Sequence, residues 1–185
     1  MNNVKNKKGF SMVEVLVVMS IIMVLSAVAG LSISVVNNAN VSKAAKKLDS
    51  MFNDARVTAM AKGEAKGKLT LKVVNGKYYG YIGATPPANI KDWEQISSSA
   101  IRIDRDNKPT SYNPDDPASH VVGTVIPEGS SYSFTFTPSG SVKVAGSAGI
   151  HPYTNVFTFS HGKRACVFYF YPETGQHGTR IFNLP

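Results

Sequence analysis

The chain has 185 residues, 43% of them hydrophobic, which is enough apolar material for one folded domain and excludes wholesale disorder. Its single cysteine excludes an intramolecular disulfide and a multi-cysteine zinc site, so we expect no structural metal and no cofactor. The net charge of +8 allows an anionic partner such as nucleic acid or phospholipid without requiring one.

The N-terminus joins a basic leader to an apolar segment. Residues 1–9 carry three lysines, and residues 10–36 contain one charged residue, Glu14. A helix of this length would extend about 40 Å, enough to cross a bilayer core of roughly 30 Å. Lysines before such a segment stay in the cytoplasm. The pattern therefore predicts a single transmembrane helix segment over residues 10–36, with the rest of the chain outside the cytoplasm.

A secretory signal peptide is the main alternative interpretation. It also begins with basic residues, and Ala27-Val28-Ala29 offers a small-x-small cleavage site. Cleavage there would release a soluble, secreted β-rich domain. This alternative gives no reason for Glu14, because an ionisable residue in an apolar segment is costly unless it has a partner.

The stretch KKGFSMVEVL, residues 7–16, resembles the processing and assembly signal of type IV pilins and type II secretion pseudopilins. The resemblance implies that residues 1–9 are a leader peptide, that a prepilin peptidase in the inner membrane cuts between Gly9 and Phe10, and that Phe10 is then N-methylated. It also implies assembly with other pilin or pseudopilin subunits. Leu31 stands where many major pilins have a proline, which favours a minor subunit.

Cleavage before Phe10 would give Glu14 a specific role. The new α-amine of Phe10 would lie four residues from Glu14. In a bundle of apolar helices, the Glu14 carboxylate of one subunit can pair with the Phe10 amine of a neighbour, so that two costly charges neutralise each other. We therefore predict that Phe10 and Glu14 are assembly residues, while membrane lipid surrounds the segment before assembly.

Residues 37–62 are predicted to continue the helix in amphipathic form. Apolar residues recur at helical spacing and end before Gly63, a plausible stop. The stripe consists of Val41, Ala45, Leu48, Phe52, Ala55 and Ala59. One face of this helix must therefore pack against another element.

Residues 63–185 predict a β-rich globular domain. Asn75-Gly76 separates two strand-like runs as in a type I′ hairpin, and alternation returns over residues 131–137. A second hairpin is predicted over 156–171 and a last strand near 179–182. The predicted fold class is α+β, with the helix packed on one antiparallel meander. The later motifs resemble those of the H-type pseudopilin and FimT family of minor pilins.

A long loop is predicted at about 83–118, interrupted only by a short strand at 100–103, with Trp93 at the edge of the core. Acidic residues within the loop could gather oxygens for calcium, but the spacing of an EF-hand is absent. Cys166 lies in an apolar run, which favours a core role over a catalytic thiol beside His161 or His177. The sequence therefore indicates no metal site and no enzyme.

Four basic residues in the C-terminal region are candidates for phosphate contacts with DNA, namely Lys143, Lys163, Arg164 and Arg180. The leading functional prediction is thus a minor pilin or pseudopilin of a type IV pilus or type II secretion filament. A DNA-binding minor pilin for DNA uptake is the alternative. A secreted soluble domain is the second alternative.

Overall fold

The structure is a computed structural model that describes residues 10–106, 124–146 and 155–184. The chain divides into two compact units, Met1–Val36 and Asn37–Pro185. Helix α1, Met12–Lys62, begins in the first unit and ends in the second. Its first backbone hydrogen bond runs from the N–H of Val15 to the carbonyl of Ser11 at 3.2 Å.

The second part of α1 carries the predicted buried stripe. All six predicted residues are at most 1% exposed, and the last of them, Ala59, accepts a hydrogen bond from the N–H of Gly63 just after the helix ends at Lys62. Burial of a stripe at this spacing is what anchors an amphipathic helix to a core. The prediction of an amphipathic helix that ends before Gly63 is confirmed.

The first sheet has five antiparallel strands in the order β3-β2-β1-β6-β7. Their bounds are β1 Leu69–Val74, β2 Lys77–Ile82, β3 Glu94–Ser97, β6 Ser131–Phe136 and β7 Val142–Gly146. The predicted β1–β2 hairpin is confirmed, with Val74 paired to Lys77. Asn75 and Gly76 have φ angles of 52° and 67°, both positive as a type I′ turn requires.

The second sheet has five antiparallel strands in the order β10-β9-β8-β4-β5. Their bounds are β4 Arg102–Asp106, β5 Thr124–Val125, β8 Asn155–His161, β9 Arg164–Phe170 and β10 His177–Asn183. The predicted late hairpin is β8–β9 and the predicted last strand is β10. These strands follow the helix, so the α+β class is confirmed.

The prediction of one meander is wrong. β1 pairs with β6 rather than only with its neighbour in sequence, and the chain crosses to the second sheet at β4. Up to residue 106, the predicted loop at 83–118 also holds a 3₁₀ turn, Ile90–Asp92, and β3, neither of which was predicted. The short strand predicted at 100–103 corresponds to β4. The rest of that loop lies outside the described residues.

Phe52 of α1 joins the two sheets into one core. Its ring centroid lies 4.6 Å from that of Phe136 in the first sheet and 5.0 Å from that of Phe170 in the second. Phe134 and Phe168, at 5.7 and 5.2 Å, complete the aromatic contacts from the two sheets. The helix therefore packs against both sheets through the stripe that the sequence predicts.

Trp93 is half-buried beside the first sheet. Its indole N–H donates a hydrogen bond of 3.0 Å to the carbonyl of Pro87, and its ring lies 5.9 Å from that of Tyr81. A buried tryptophan usually donates its indole N–H to a hydrogen-bond acceptor such as a backbone carbonyl. The predicted position of Trp93 at the edge of the core agrees with these contacts.

Candidate processing and assembly site

Glu14 lies in the first turn of α1, two residues after the helix begins at Met12. The N–H groups of a first turn have no partner within the helix, so a helix N-terminus favours a nearby carboxylate. The fold therefore places the Glu14 side chain at the end of the helix where a carboxylate is favourable, which the sequence pattern alone did not reveal. Phe10 precedes the helix and is 82% exposed, and Gly9 lies outside the described residues.

Residues 15–27 of α1 carry no charge and are predominantly apolar on every side of the helix. All residues from 10 to 27 are exposed, including large side chains such as Leu16, Ile22 and Leu25 at 62%, 56% and 63%. A helix that is hydrophobic all round is normally buried in a protein interior or a membrane. A contiguous exposed apolar surface of this kind is typical of an interaction site.

The hydroxyl groups in this part of α1 are satisfied within the helix. The Oγ of Ser20 donates to the carbonyl of Val17 at 2.8 Å, and the Oγ of Ser26 donates to the carbonyl of Ile22 at 2.7 Å. Serine that bonds back to the preceding turn leaves no unpaired polar hydrogen on the surface. Ser20 and Ser26 are therefore compatible with apolar surroundings.

Within the described parts of the chain, no helix combines the length and the apolarity that a membrane crossing demands.

The four basic candidates for DNA contacts occupy different places. Lys143 is exposed on β7, an edge strand of the first sheet, and Lys163 lies in the turn between β8 and β9. Arg164 pairs with Asn183 and Arg180 pairs with Val167 on the same two strands of the second sheet. Residues 164 and 167 are three apart, so strand alternation places Arg164 and Arg180 on opposite faces. The structure does not bring the two arginines to one surface.

Arg164 also has a partner, since its Nη1 donates to Oδ1 of Asn183 at 3.1 Å. Sequence reasoning grouped these arginines by proximity along the chain and could not see the pairing register. The pairing register of two strands decides which of their residues share a face of the sheet. A shift of the register by one residue moves every side chain of a strand to the other face.

Cys166 and the two histidines considered with it do not form a nucleophilic group. Cys166 is 0% exposed, and burial raises the pKa of its thiol to about 11, which disfavours the reactive thiolate. His161 contacts the carbonyl of Ala100 through Nδ1 at 2.8 Å. His177 packs its ring 4.9 Å from that of Phe52, with Nδ1 3.0 Å from the carbonyl of Gly175.

The acidic residues of the predicted loop are the candidates for calcium ligands. Asp104 is fully buried on β4, and both of its carboxylate oxygens accept a hydrogen bond from Nε of Arg102 at 2.8 and 2.9 Å. Asp115 and Asp116 lie outside the described residues. Among the described residues, no group of three or more histidine, cysteine or acidic side chains is placed to hold a metal ion.

Comparison with known proteins gives one match, at the N-terminus. Residues 4–30 match the family described as the prokaryotic N-terminal methylation motif, the type IV pilin-like signal. The match covers the three lysines of the leader, Gly9, Phe10 and Glu14. No curated protein and no solved structure matches the chain.

Proposed function

We propose that the chain is a minor pilin or pseudopilin subunit of a type IV pilus or type II secretion filament. One observation carries this proposal: the methylation motif at residues 4–30 contains the first turns of α1, where Glu14 is followed by an exposed and predominantly apolar stretch over residues 15–27. A subunit that packs its helix among copies of itself needs this surface. The role is structural rather than catalytic.

In this proposal a prepilin peptidase removes residues 1–9 and methylates the new N-terminus at Phe10. The mature α-amine keeps a positive charge when it carries one methyl group. Glu14 of one subunit then neutralises the Phe10 ammonium of a neighbour inside the helix bundle, where each charge alone would be costly. The pair would fix the axial offset between adjacent subunits.

The remaining boundaries follow from this assembly. Residues 10–36 would form a single transmembrane segment in the inner membrane before assembly, and lipid would cover their exposed side chains. Residues 37–62 would continue the helix as its amphipathic part, and residues 63–185 would form the globular part outside the cytoplasm. Extraction from the membrane into a filament would replace lipid by neighbouring helices.

The mature N-terminus tests the proposal. Intact-mass and peptide analysis of the chain purified from its native membranes should give N-methylated Phe10. A chain that begins at Gly30 would instead support a secreted soluble domain cut after Ala29, and one that retains Met1 would rule out the processing step. Either result would overturn the proposed function.

DNA capture gains no support from the positions of its four candidate residues, because Arg164 and Arg180 point to opposite faces of the second sheet. A gel-shift titration of the purified chain at low salt would reveal any binding that other residues provide.

A further inference from the structure

A groove of about 350 Å³ runs between α1 and β3, within the second unit of the chain. Its volume falls in the range of small-molecule sites, roughly 300–1,000 Å³. Six of its lining residues carry the argument: Lys43, Ala44 and Lys47 from the helix, and Ile96, Ser97 and Ile101 from β3 and the turn after it. Nothing in the proposed assembly role uses this groove.

The helix wall of the groove supplies one uncompensated positive charge. Lys47 forms an ion pair with Glu94 at the start of β3. Lys43 is exposed and has no ion-pair partner among the described residues. An ammonium group that is not already paired attracts an anion more strongly than one held by a carboxylate. The charge at this wall therefore favours an anionic group near Lys43.

The opposite wall holds a hydroxyl group that lacks a partner. Ser97 is 4% exposed, and its buried Oγ makes no hydrogen bond in the described part of the chain. A buried polar group left unpaired is destabilising, so most such groups are satisfied in native proteins. A rotation of the Ser97 side chain toward the groove would let the acceptor oxygens of a ligand remove this cost.

Apolar side chains line the deeper part of the groove. Ala44, Ile96 and Ile101 are 2%, 8% and 3% exposed and belong to the core. The groove thus combines an ammonium group with an apolar floor, and the unpaired Ser97 hydroxyl lies buried in its wall. This combination suits an amphiphile with an anionic head, and a phosphate diester offers more acceptor oxygens than a carboxylate.

We propose that this groove binds the phosphate group of an anionic phospholipid, with Lys43 and Ser97 on the phosphate oxygens and the glycerol end of the acyl chains on the apolar floor. Lys43 follows Val36 by seven residues, so chain length alone keeps it within about 25 Å of the end of the apolar segment. The lipid source rests on the proposed membrane insertion, whereas the phosphate chemistry rests on the groove itself.

The test uses the full chain in micelles of an uncharged detergent. Dihexanoyl-phosphatidylglycerol is titrated in, and bound lipid is counted by native mass spectrometry. Lys43→Gln should weaken binding about tenfold through the lost charge-assisted contact, and Ser97→Ala should weaken it severalfold. Lys46→Gln is the matched control, because Lys46 is exposed next to the groove-lining residues and does not line the groove. The affinity of the Lys46→Gln variant for the lipid should stay within about twofold of that of the unmodified chain.

Two further ligands identify what the groove recognises. Dihexanoylglycerol, which lacks the phosphate, should bind far more weakly, and inorganic phosphate should bind more weakly than the phospholipid. Equal loss in the Lys43 and Lys46 variants, or equal binding of the phosphate-free lipid, would overturn the proposal. Inorganic phosphate as tight as the lipid would overturn the lipid source. None of these results depends on cleavage at Gly9, so they leave the filament function to its own test.

Discussion

The carboxylate of Glu128 accepts a hydrogen bond from the turn of the β1–β2 hairpin. The backbone N–H of Asn75 donates to its Oε1 at 2.6 Å. The second oxygen accepts the N–H of Gly76 at 2.9 Å. Glu128 lies in the turn before β6, which pairs with β1. One side chain therefore ties together two turns that are distant in sequence and adjacent in the first sheet.

Glu128→Ala should lower the free energy of unfolding by about 1–2 kcal/mol, because two charge-assisted hydrogen bonds are lost at a partly solvated position. Glu128→Gln keeps one acceptor oxygen and should cost less. Urea denaturation of the detergent-solubilised chain measures both. Glu173→Gln, at an exposed turn residue, is the control and should leave stability unchanged within experimental error. Equal stability of Glu128→Ala and the control would contradict the role of this carboxylate.

Phe52→Ala should destabilise the second unit by about 3–5 kcal/mol. The ring packs against aromatic residues of both sheets, so its removal leaves a cavity that a shift of one sheet alone cannot fill. Met60→Ala on the same helix is the matched control, because Met60 is 56% exposed. Its cost should be below about 0.5 kcal/mol. Thermal unfolding followed by circular dichroism compares the two, and similar midpoints would refute a central role for Phe52.

Two glycines with nearly the same backbone conformation should respond differently to alanine. Gly175 and Gly162 have φ angles of 64° and 57°. A Cβ added at Gly175 would lie 2.0 Å from the carbonyl oxygen of Gly140, whereas one at Gly162 meets nothing within 4 Å. Gly162→Ala should therefore cost only the strain of a left-handed alanine, about 1 kcal/mol.

Gly175→Ala should cost several times more, because backbone must move to relieve the collision. Unfolding curves for the two variants provide the comparison. Closely matched losses of stability would show that the turn at Gly175 can separate from the turn at Gly140 without penalty.

Cys166 should be protected from thiol reagents in the folded chain. With its pKa raised to about 11 and its side chain fully buried, only about one thiol in a thousand is ionised at pH 8. Modification by iodoacetamide should be at least about a hundredfold slower than in the urea-unfolded chain. Comparable rates in the two states would mean that the β9 strand opens readily.

The same shift predicts a pH effect on stability. The unfolded thiol releases its proton near its ordinary pKa, while the folded thiol holds its proton up to about pH 11. Cys166 therefore stabilises the fold fully below that ordinary value, and the contribution is lost as the pH rises toward 11. The difference in unfolding free energy between the unmodified chain and Cys166→Ala should shrink or reverse over this range. The comparison is needed because burial also raises the pKa of Tyr78.

Glu14→Gln should leave membrane insertion and cleavage largely intact and lower incorporation into filaments at least about tenfold, because the Phe10 ammonium of a neighbour loses its counter-charge. Sheared filaments and membranes are compared by immunoblot for the fraction of subunit in each. Glu14→Asp keeps the charge on a shorter side chain and should assemble better than Glu14→Gln. Normal assembly of Glu14→Gln would remove Glu14 from the mechanism.

Sequence patterns predicted the elements whose signals are local. The stripe from Val41 to Ala59 needs only the helical period, and the Asn75-Gly76 turn needs only two residues with positive φ. The phenylalanines of β6 and β9 alternate clearly and are buried as expected. The assembly roles of Phe10 and Glu14 stay predictions, and they rest on one short motif that is likewise local in sequence.

The place of β4 inside the second sheet was not predictable, although the short strand predicted at 100–103 overlaps β4. β4 contains Arg102, Asp104 and Arg105, which suggest a solvated loop. In the structure Asp104 is paired with Arg102, and the buried guanidinium of Arg105 lies 5.2 Å from the ring centre of Tyr132. These partners are brought together only by the tertiary structure. A strand that buries charged residues in this way lacks the alternation of apolar and polar residues by which a strand is predicted from sequence. The groove at Lys43 was missed likewise, because its two walls are about 50 residues apart in sequence.

The position of β1 in the middle of the first sheet has a consequence for the order of folding. One side of β1 pairs with β2 across a two-residue turn, but the other side pairs with β6, whose first residue is Ser131. As the ribosome makes the chain from its N-terminus, the β6 side of β1 stays unsatisfied for some 60 residues of further synthesis. Over that interval the nascent chain exposes a strand edge to any neighbouring polypeptide, and a chaperone that shields residues 69–74 would act during this window.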